Sequence, residues 1–197
     1  DVATQEAFKK DPQLVLEFYN QRRRDLLKAE PNAGHKGLVD LENVFDVQII
    51  TQNVDDLHER AGSSSVLHLH GELMKSCPVN NSNTTYDISS ENPDLHVGDK
   101  DSYGNQLRPF IVWFGEAVPM IEPAIHLVES SDILVIIGTS LNVYPAAGLL
   151  NYARKGQPVF LIDPKEVQTS RDDIHVIRAG ASEGVKQLKV LLKAMED

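Results

Sequence analysis

Cysteine is almost missing from this chain: Cys77 is the only one in 197 residues. One thiol can neither close an internal disulfide nor build a four-cysteine metal site, so a stapled secreted fold is excluded and a reducing, cytoplasmic setting fits. Basic residues are scarce as well. Nineteen Lys and Arg face 29 Asp and Glu, a formal net charge of −10, which disfavours a polyanionic partner such as nucleic acid. Long apolar runs are lacking. The longest, Ile133 to Ile137, is far below the ~20 residues a membrane-spanning helix needs, and the first residues have no signal-peptide pattern, so no membrane partner is expected. Internal repeats, proline-rich linkers, Walker loops, GxGxxG fingerprints and HExxH motifs are all missing.

Short β-branched runs alternate with amphipathic segments. Val47 to Ile50, Ser65 to Leu69, Phe110 to Phe114, Ile133 to Ile137, Val159 to Ile162 and Ile174 to Ile177 read as strands. Asp11-Pro12 starts one helix, Asn32 caps the next, and Gly156 closes the segment after Pro145. A last helix from about Glu183 to Met195 has Val185, Leu188, Leu191 and Leu192 at helical spacing. The rhythm predicts an α/β fold: a Rossmann-like parallel sheet with helices on both faces. From Ser76 to Gln106 the chain is rich in Asn, Ser, Asp and Gly, which predicts a long surface insertion belonging to a smaller helical and loop lobe.

Four segments carry chemistry. Thr51-Gln52-Asn53-Val54-Asp55-Asp56-Leu57-His58 follows a strand, where polar residues face the ligand crevice of an open α/β sheet; capping of a helix would account for Asn53 or Thr51 alone. His68-Leu69-His70-Gly71 puts two imidazoles on one face of a strand. They could be metal ligands, a structural pair, or a general base at the strand end, since imidazole as a class titrates near neutrality. Gly138-Thr139-Ser140-Leu141-Asn142-Val143-Tyr144-Pro145 follows the most apolar strand and offers N–H groups and hydroxyls to phosphate oxygens, or is simply a corner. Val112-Trp113-Phe114-Gly115-Glu116 is a core strand by default, or an edge on which an extended peptide can pair.

Together and in this order, TQNVDDLH, HLHGEL, VWFGE and GTSLNVYPAAG resemble the sirtuin family over nearly the whole chain. The resemblance implies a single catalytic domain with a small lobe at about 1–37 and 72–107 and a Rossmann-like lobe at about 38–71 and 108–197. It implies an NAD-dependent protein deacylase that meets NAD and acyl-lysine peptide in a cleft, consumes NAD, releases nicotinamide and leaves the acyl group on ADP-ribose. By the same resemblance His70 is the catalytic base. Gln52 and Asn53 line the ribose, Asp55 contacts the nicotinamide carboxamide, and Gly138, Thr139 and Ser140 hold phosphates and adenosine ribose. Asp163 stands near the adenosine, where the family often has Asn, and the turn containing Ala181 lies against adenine. Phe114, Gly115 and Glu116 with Asn142, Val143 and Tyr144 form two rails for the substrate peptide.

Two departures from the family pattern stand out. The family's first strand and Gly-Ala-Gly loop do not precede Asp1, so roughly 30 to 40 residues, about one βα unit, are expected to be missing and the chain to be weakly active or inactive by itself. Three of the four cysteines that hold zinc in many sirtuins are replaced, so no metal is expected. The competing functions are a silent module binding ADP-ribose or acyl-peptide, and a metal-dependent hydrolase built on His58, His68 and His70 with Asp55 or Asp56.

One helix bears on the acyl group. From Asp11 to about Ala29, Leu14, Val15, Phe18, Tyr19 and Leu26 are expected on one apolar stripe with Arg22 aimed at its middle, while Arg23 and Arg24 are expected as solvated surface charges. An internal carboxylate could meet Arg22. Tyr19-Asn20-Gln21-Arg22 also resembles the Tyr-x-x-Arg motif of the desuccinylase and demalonylase branch, in which Tyr19 and Arg22 would bind the acyl carboxylate.

Overall fold

The computed structural model describes residues 1–196. In chain order the elements are α1 (Gln5–Lys10), α2 (Pro12–Lys28), α3 (Ala33–Leu41), β1 (Ile49–Thr51), α4 (Leu57–Ala61), β2 (Val66–His68), β3 (Gly71–Pro78), β4 (Tyr86–Asp87), β5 (Leu107–Ile111), α5 (Ile121–Ser130), β6 (Leu134–Ile137), a 3-10 helix (Ala146–Tyr152), β7 (Val159–Ile162), β8 (Ile174–Ile177) and α6 (Ala181–Ala194). They fall into two compact units. The first comprises Asp1–Glu30, Thr51–Asp56 and His68–Val118, the second Pro31–Ile50, Leu57–Leu67 and Pro119–Asp197. The division drawn from the sequence differs from this in giving residues 31–37 to the small lobe and residues 51–56, 68–71 and 108–118 to the Rossmann-like one. Among the described residues no helix is long and apolar enough to cross a membrane.

The second unit is built on a parallel sheet. β7 lies between β6 and β8, with Leu134 opposite Val159 and Val159 opposite Ile174. All four β7 residues are buried, as expected of the central strand of a parallel sheet covered by helices. Phe160, Ile162 and Ile177 meet Val185, Leu188 and Leu192 of α6 in one core. The approach is close enough that a Cβ on Gly184 would lie 2.1 Å from Ile162 Cγ2. On its other side α6 receives α3, where a Cβ on Gly37 would lie 2.6 Å from Val185 Cγ1. Asn32 caps α3 by accepting from the His35 N–H at 3.0 Å, and His35 Nδ1 accepts from the Asn32 N–H in return.

The first unit pairs helices with the antiparallel sheet β4-β3-β5. Asp11 caps α2 by accepting from the Leu14 N–H at 3.1 Å, with Pro12 in the first turn. The buried face of α2 is Val15, Leu16, Tyr19, Asn20, Arg23 and Leu26. Asn20 and Arg23 are there because the segment read as a surface insertion needs polar partners. Asn20 donates to Leu95 O and accepts from Leu95 N, and Arg23 donates to Leu73 O and Pro93 O. Arg24 adds a two-pronged pair with Asp94, 2.6 and 3.0 Å. The expectation for this helix is therefore corrected. Arg23 is fully buried, Arg24 is ion-paired, and it is Arg22 that is exposed, in a row with exposed Leu14 and Phe18. The apolar count pointed to the wrong rotation because it scored Arg23 as outward-facing, when its Nε and Nη1 find acceptors inside, on Leu73 O, Pro93 O and Asn20 Oδ1.

β5 also stops earlier than its sequence suggests, at Ile111. Residues 113–116 form a turn closed by Glu116 N donating to Trp113 O at 3.0 Å, with Gly115 at a φ of 86°. Its brace is Arg108, which is buried, donates to both Glu116 oxygens at 2.9 Å and lies with Cζ 3.6 Å from the centroid of the Trp113 ring. The Glu116 carboxylate also accepts from the Trp113 N–H at 2.7 Å and from Gln5 at 2.8 Å. Burial pushes its pKa up, but the Arg108, Trp113 and Gln5 hydrogen bonds outweigh it and hold the group down at about 2. A folded-state pKa below the unfolded one stabilises the protein above the unfolded value, and that contribution disappears as pH falls toward about 2. Glu116→Gln should lower stability at neutral pH by about 2 kcal/mol or more, because Arg108 loses its partner. Urea unfolding at pH 7 and pH 3 should show the gap between wild type and variant narrowing at the acid end.

Candidate functional site

In the first unit the loop after β1 is locked by backbone carbonyls to His68, the last residue of β2, and to His70 just beyond it. Thr51 Oγ1 accepts from the Asn53 N–H, and Leu69 N donates to Thr51 O at 2.9 Å. His68 Nδ1 lies 3.0 Å from Asn53 O, and His70 Nδ1 lies 3.2 Å from Gln52 O. A carbonyl only accepts, so each Nδ1 must carry the hydrogen, and the neutral ring then has its basic lone pair on Nε2. The two histidines differ beyond that point. His68 is buried, with Nε2 3.9 Å from a Glu72 oxygen. His70 is half-buried, and its Nε2 has no hydrogen-bond partner among the described residues. Only Gly can follow it here: Gly71 has a φ of 90°, and a Cβ would lie 2.1 Å from Phe110 O. Gln52 and Asp55 are half-buried and Asn53 is exposed in the same loop. His58 belongs to the second unit, where its ring packs edge-on against His35 at 4.8 Å.

In the second unit the carboxyl ends of β6 and β7 form a cavity of about 210 Å³ lined by Ser140, Asn142, Asp163, Lys165, Glu166, Val167 and Gln168. The chain leaves β6 through Gly138 at a φ of 64°, where a Cβ would meet nothing within 4 Å, and through Leu141, also left-handed at 59°. Thr139 Oγ1 accepts from Leu141 N at 3.2 Å. Asp163 follows β7, its N–H donating to Ile177 O and its carboxylate accepting from Lys165 N at 2.8 Å. Hydroxyl, amide and carboxylate groups around an open hollow at parallel strand ends suit the ribose hydroxyls of a nucleotide. Three sequence-predicted residues, Ser140, Asn142 and Asp163, line this one cavity; Asn142 had been expected on a peptide rail. Lys165 to Gln168 line it too and carried no sequence signal, being an irregular stretch outside any motif. Ala181 opens α6 beside Gly34, and exposed Val143 and Tyr144 follow Asn142.

The acyl-motif residues separate in character. Arg22 is exposed, makes no ion pair among the described residues, and lies with Cζ 5.9 Å from the Phe18 ring centroid. Tyr19 is buried, its hydroxyl accepting from Trp113 Nε1 at 3.1 Å, and burial raises its pKa above the usual phenol value. Phe114, which follows Trp113, is 77% exposed, yet its N–H is taken by Ala3 O at 3.0 Å.

Comparison with known proteins finds relatives over most of the chain. The Sir2 family profile matches residues 1–145, well over half of the chain. A protein of Bacteroides thetaiotaomicron named NAD-dependent protein deacylase is 58% identical over 195 residues, spanning 97% of this chain and 83% of that protein. Among solved structures, a mutant Sir2 homologue in complex with ADP-ribose superposes with a TM-score of 0.87 at 35% identity, over 98% of this chain and 80% of that one. A Sir2 homologue in complex with NAD gives 0.85 at 36% identity, over 98% and 77%. On the family match and the identity to its relatives, this chain belongs to the Sir2 family, that of the sirtuins.

Proposed function

We propose that this protein is an NAD-dependent protein-lysine deacylase that prefers acyl groups ending in a carboxylate, succinyl and malonyl, and also removes acetyl. The observation that carries the deacylase reading is the tautomer of His70, an imidazole oriented through Nδ1 by the Gln52 carbonyl with Nε2 left open. It is supported by the name of the Bacteroides relative, a protein deacylase. NAD, when bound, supplies an electrophilic ribose carbon and nicotinamide as the leaving group. The chain's own residues do the rest. His70 Nε2 takes a proton from a ribose hydroxyl, and the Gln52 carbonyl continues to accept from Nδ1 as the ring becomes positive. Gln52 and Asn53 line that ribose, and Asp55 accepts from the nicotinamide amide. Gly138, Thr139 and Ser140 hold phosphate and adenosine ribose, Asp163 accepts from ribose hydroxyls, and Ala181 borders adenine. Phe114, Gly115 and Glu116, and likewise Asn142, Val143 and Tyr144, receive the peptide through their backbone and exposed faces, the Glu116 carboxylate being engaged by Arg108.

Preference for acidic acyl groups rests on Arg22. An exposed guanidinium with no ion pair among the described residues is available to a carboxylate brought by the substrate, with Tyr19 one helical turn away. A cytoplasmic setting accords with the single thiol, Cys77, which is buried and whose pKa burial raises. The insertion is proposed to hold no structural zinc, because Asn20, Arg23 and Arg24 fasten residues 93–95 by hydrogen bonds instead.

Three measurements test these readings. His70→Tyr should reduce acyl-peptide-dependent nicotinamide release at least ~100-fold, and substitution of His68 should cost less; equal losses restored by added metal would favour a hydrolase. Arg22→Met should cost about 1.5–3 kcal/mol in kcat/KM for succinyl-lysine and much less for acetyl-lysine, and equal losses would make Arg22 merely structural. Elemental analysis should find no stoichiometric zinc, and a chelator should leave the melting temperature unchanged; unfolding on chelation would overturn the metal-free reading.

A further inference from the structure

The single tryptophan of the chain, Trp113, is 2% exposed and is fixed from several directions. Arg108 lies over its ring at 3.6 Å, Phe8 packs against it at 5.5 Å between centroids, and its backbone N–H is held by Glu116. So braced, the indole cannot turn, and its Nε1–H points at the Tyr19 hydroxyl, 3.1 Å away. Indole nitrogen is a donor only. The Tyr19 oxygen must therefore accept, and the hydroxyl's own hydrogen is left directed away from Trp113. Tyr19 is thereby set as a donor toward whatever lies on that side. Burial reinforces this, since it keeps the phenol protonated.

We propose that Trp113 is a positioning residue for acyl specificity: by occupying the accepting side of the Tyr19 hydroxyl, it commits that hydroxyl to donate, which favours acyl groups whose far end only accepts. A carboxylate fits that requirement, and the methyl of an acetyl group offers it nothing. Arg22, three residues along α2, supplies the charge, while Trp113 supplies the polarity of the neighbouring hydroxyl. This rests on the acidic-acyl reading of Tyr19 and Arg22 above.

The test is a double-mutant cycle on the ratio of kcat/KM for succinyl-lysine to that for acetyl-lysine peptide, measured in wild type, Trp113→Phe, Tyr19→Phe and the double variant. Trp113→Phe should lower the ratio about three- to tenfold, the worth of one neutral hydrogen bond. Tyr19→Phe should lower it at least as much, and Trp113→Phe should add nothing in the Tyr19→Phe background. A ratio unmoved by Trp113→Phe, or one that falls again when Tyr19 is already Phe, overturns the inference while leaving the acidic-acyl reading standing. A wild-type enzyme without preference for succinyl-lysine overturns both. Should Trp113→Phe fail to fold, the indole N–H resonance of wild-type Trp113 gives the answer. Succinyl-lysine peptide should shift it and acetyl-lysine peptide should not; equal shifts refute the proposal.

Discussion

A buried guanidinium organises the first unit. Arg108 gives both ends of its fork to Glu116, one N–H to Ile111 O, and its flat face to Trp113. Removing any partner would leave a charge in a dry place, so the surrounding chain is obliged to keep all of them. The consequence is a turn where apolar patterning suggests a strand. Glu116 has to come back toward Trp113 to reach Arg108, and Gly115 supplies the left-handed step that allows it. With the turn closed, Phe114 is left exposed and Trp113 is driven inward against Tyr19. A residue motif that looks like five consecutive strand positions, Val112 to Glu116, thus resolves into different duties: Val112 donates to His70 O, Trp113 anchors, Phe114 is exposed, Gly115 turns the chain and Glu116 is the counter-ion of Arg108.

The second unit obeys a different constraint, the thickness of its helical layer. α6 lies so close to β7 on one side and α3 on the other that Gly184 and Gly37 have no room for a Cβ. That packing fixes β7 between two parallel neighbours, and at its carboxyl end the chain breaks outward at Asp163. β6 ends in the left-handed Gly138, still paired to Ile162 O of β7, and it is the loops beyond the two strand ends, at Ser140, Asn142 and Asp163, that line a hollow. The placement of polar residues at these strand ends is therefore a product of packing behind them: the better the strands are held, the less freedom the loops after them have.

How much of this was legible in the sequence depended on whether a residue's partner is nearby in the chain. β7 and β8 match their apolar runs residue for residue, and the caps at Asp11 and Asn32 act on N–H groups three positions on. The strand-end loop with Gln52, Asn53 and His70 was likewise readable, since His70 finds its carbonyl across adjacent strand ends. The rotation of α2 was not. Arg23 bonds to Leu73 and Pro93, 50 and 70 residues away, and no local pattern announces that a guanidinium will be dissolved in backbone carbonyls. Lys165 to Gln168 escaped notice for a related reason: they line a cavity by virtue of where β7 ends, not of what they are.

The misplaced helix phase also changes what Tyr-x-x-Arg means in this chain. Had Arg22 been buried, an internal anion would have been required to keep it there, and recognition of a substrate carboxylate would have meant displacing that anion. Burial falls on Arg23 instead, one residue later, where its Nε and Nη1 donate to Leu73, Asn20 and Pro93 and its pKa, lowered mainly by desolvation, still stands at about 10. Arg23 therefore remains charged and fastened at neutral pH, and by fastening α2 about its own axis it determines which way the adjacent residue faces. Tyr19, one turn back on the same buried stripe, is held by Trp113. Arg22, 100° around the helix from Arg23, is left on the open side with its charge uncommitted. The two residues of the motif thus differ in kind: a buried tyrosine whose hydroxyl accepts from Trp113, and an exposed arginine with no ion pair among the described residues.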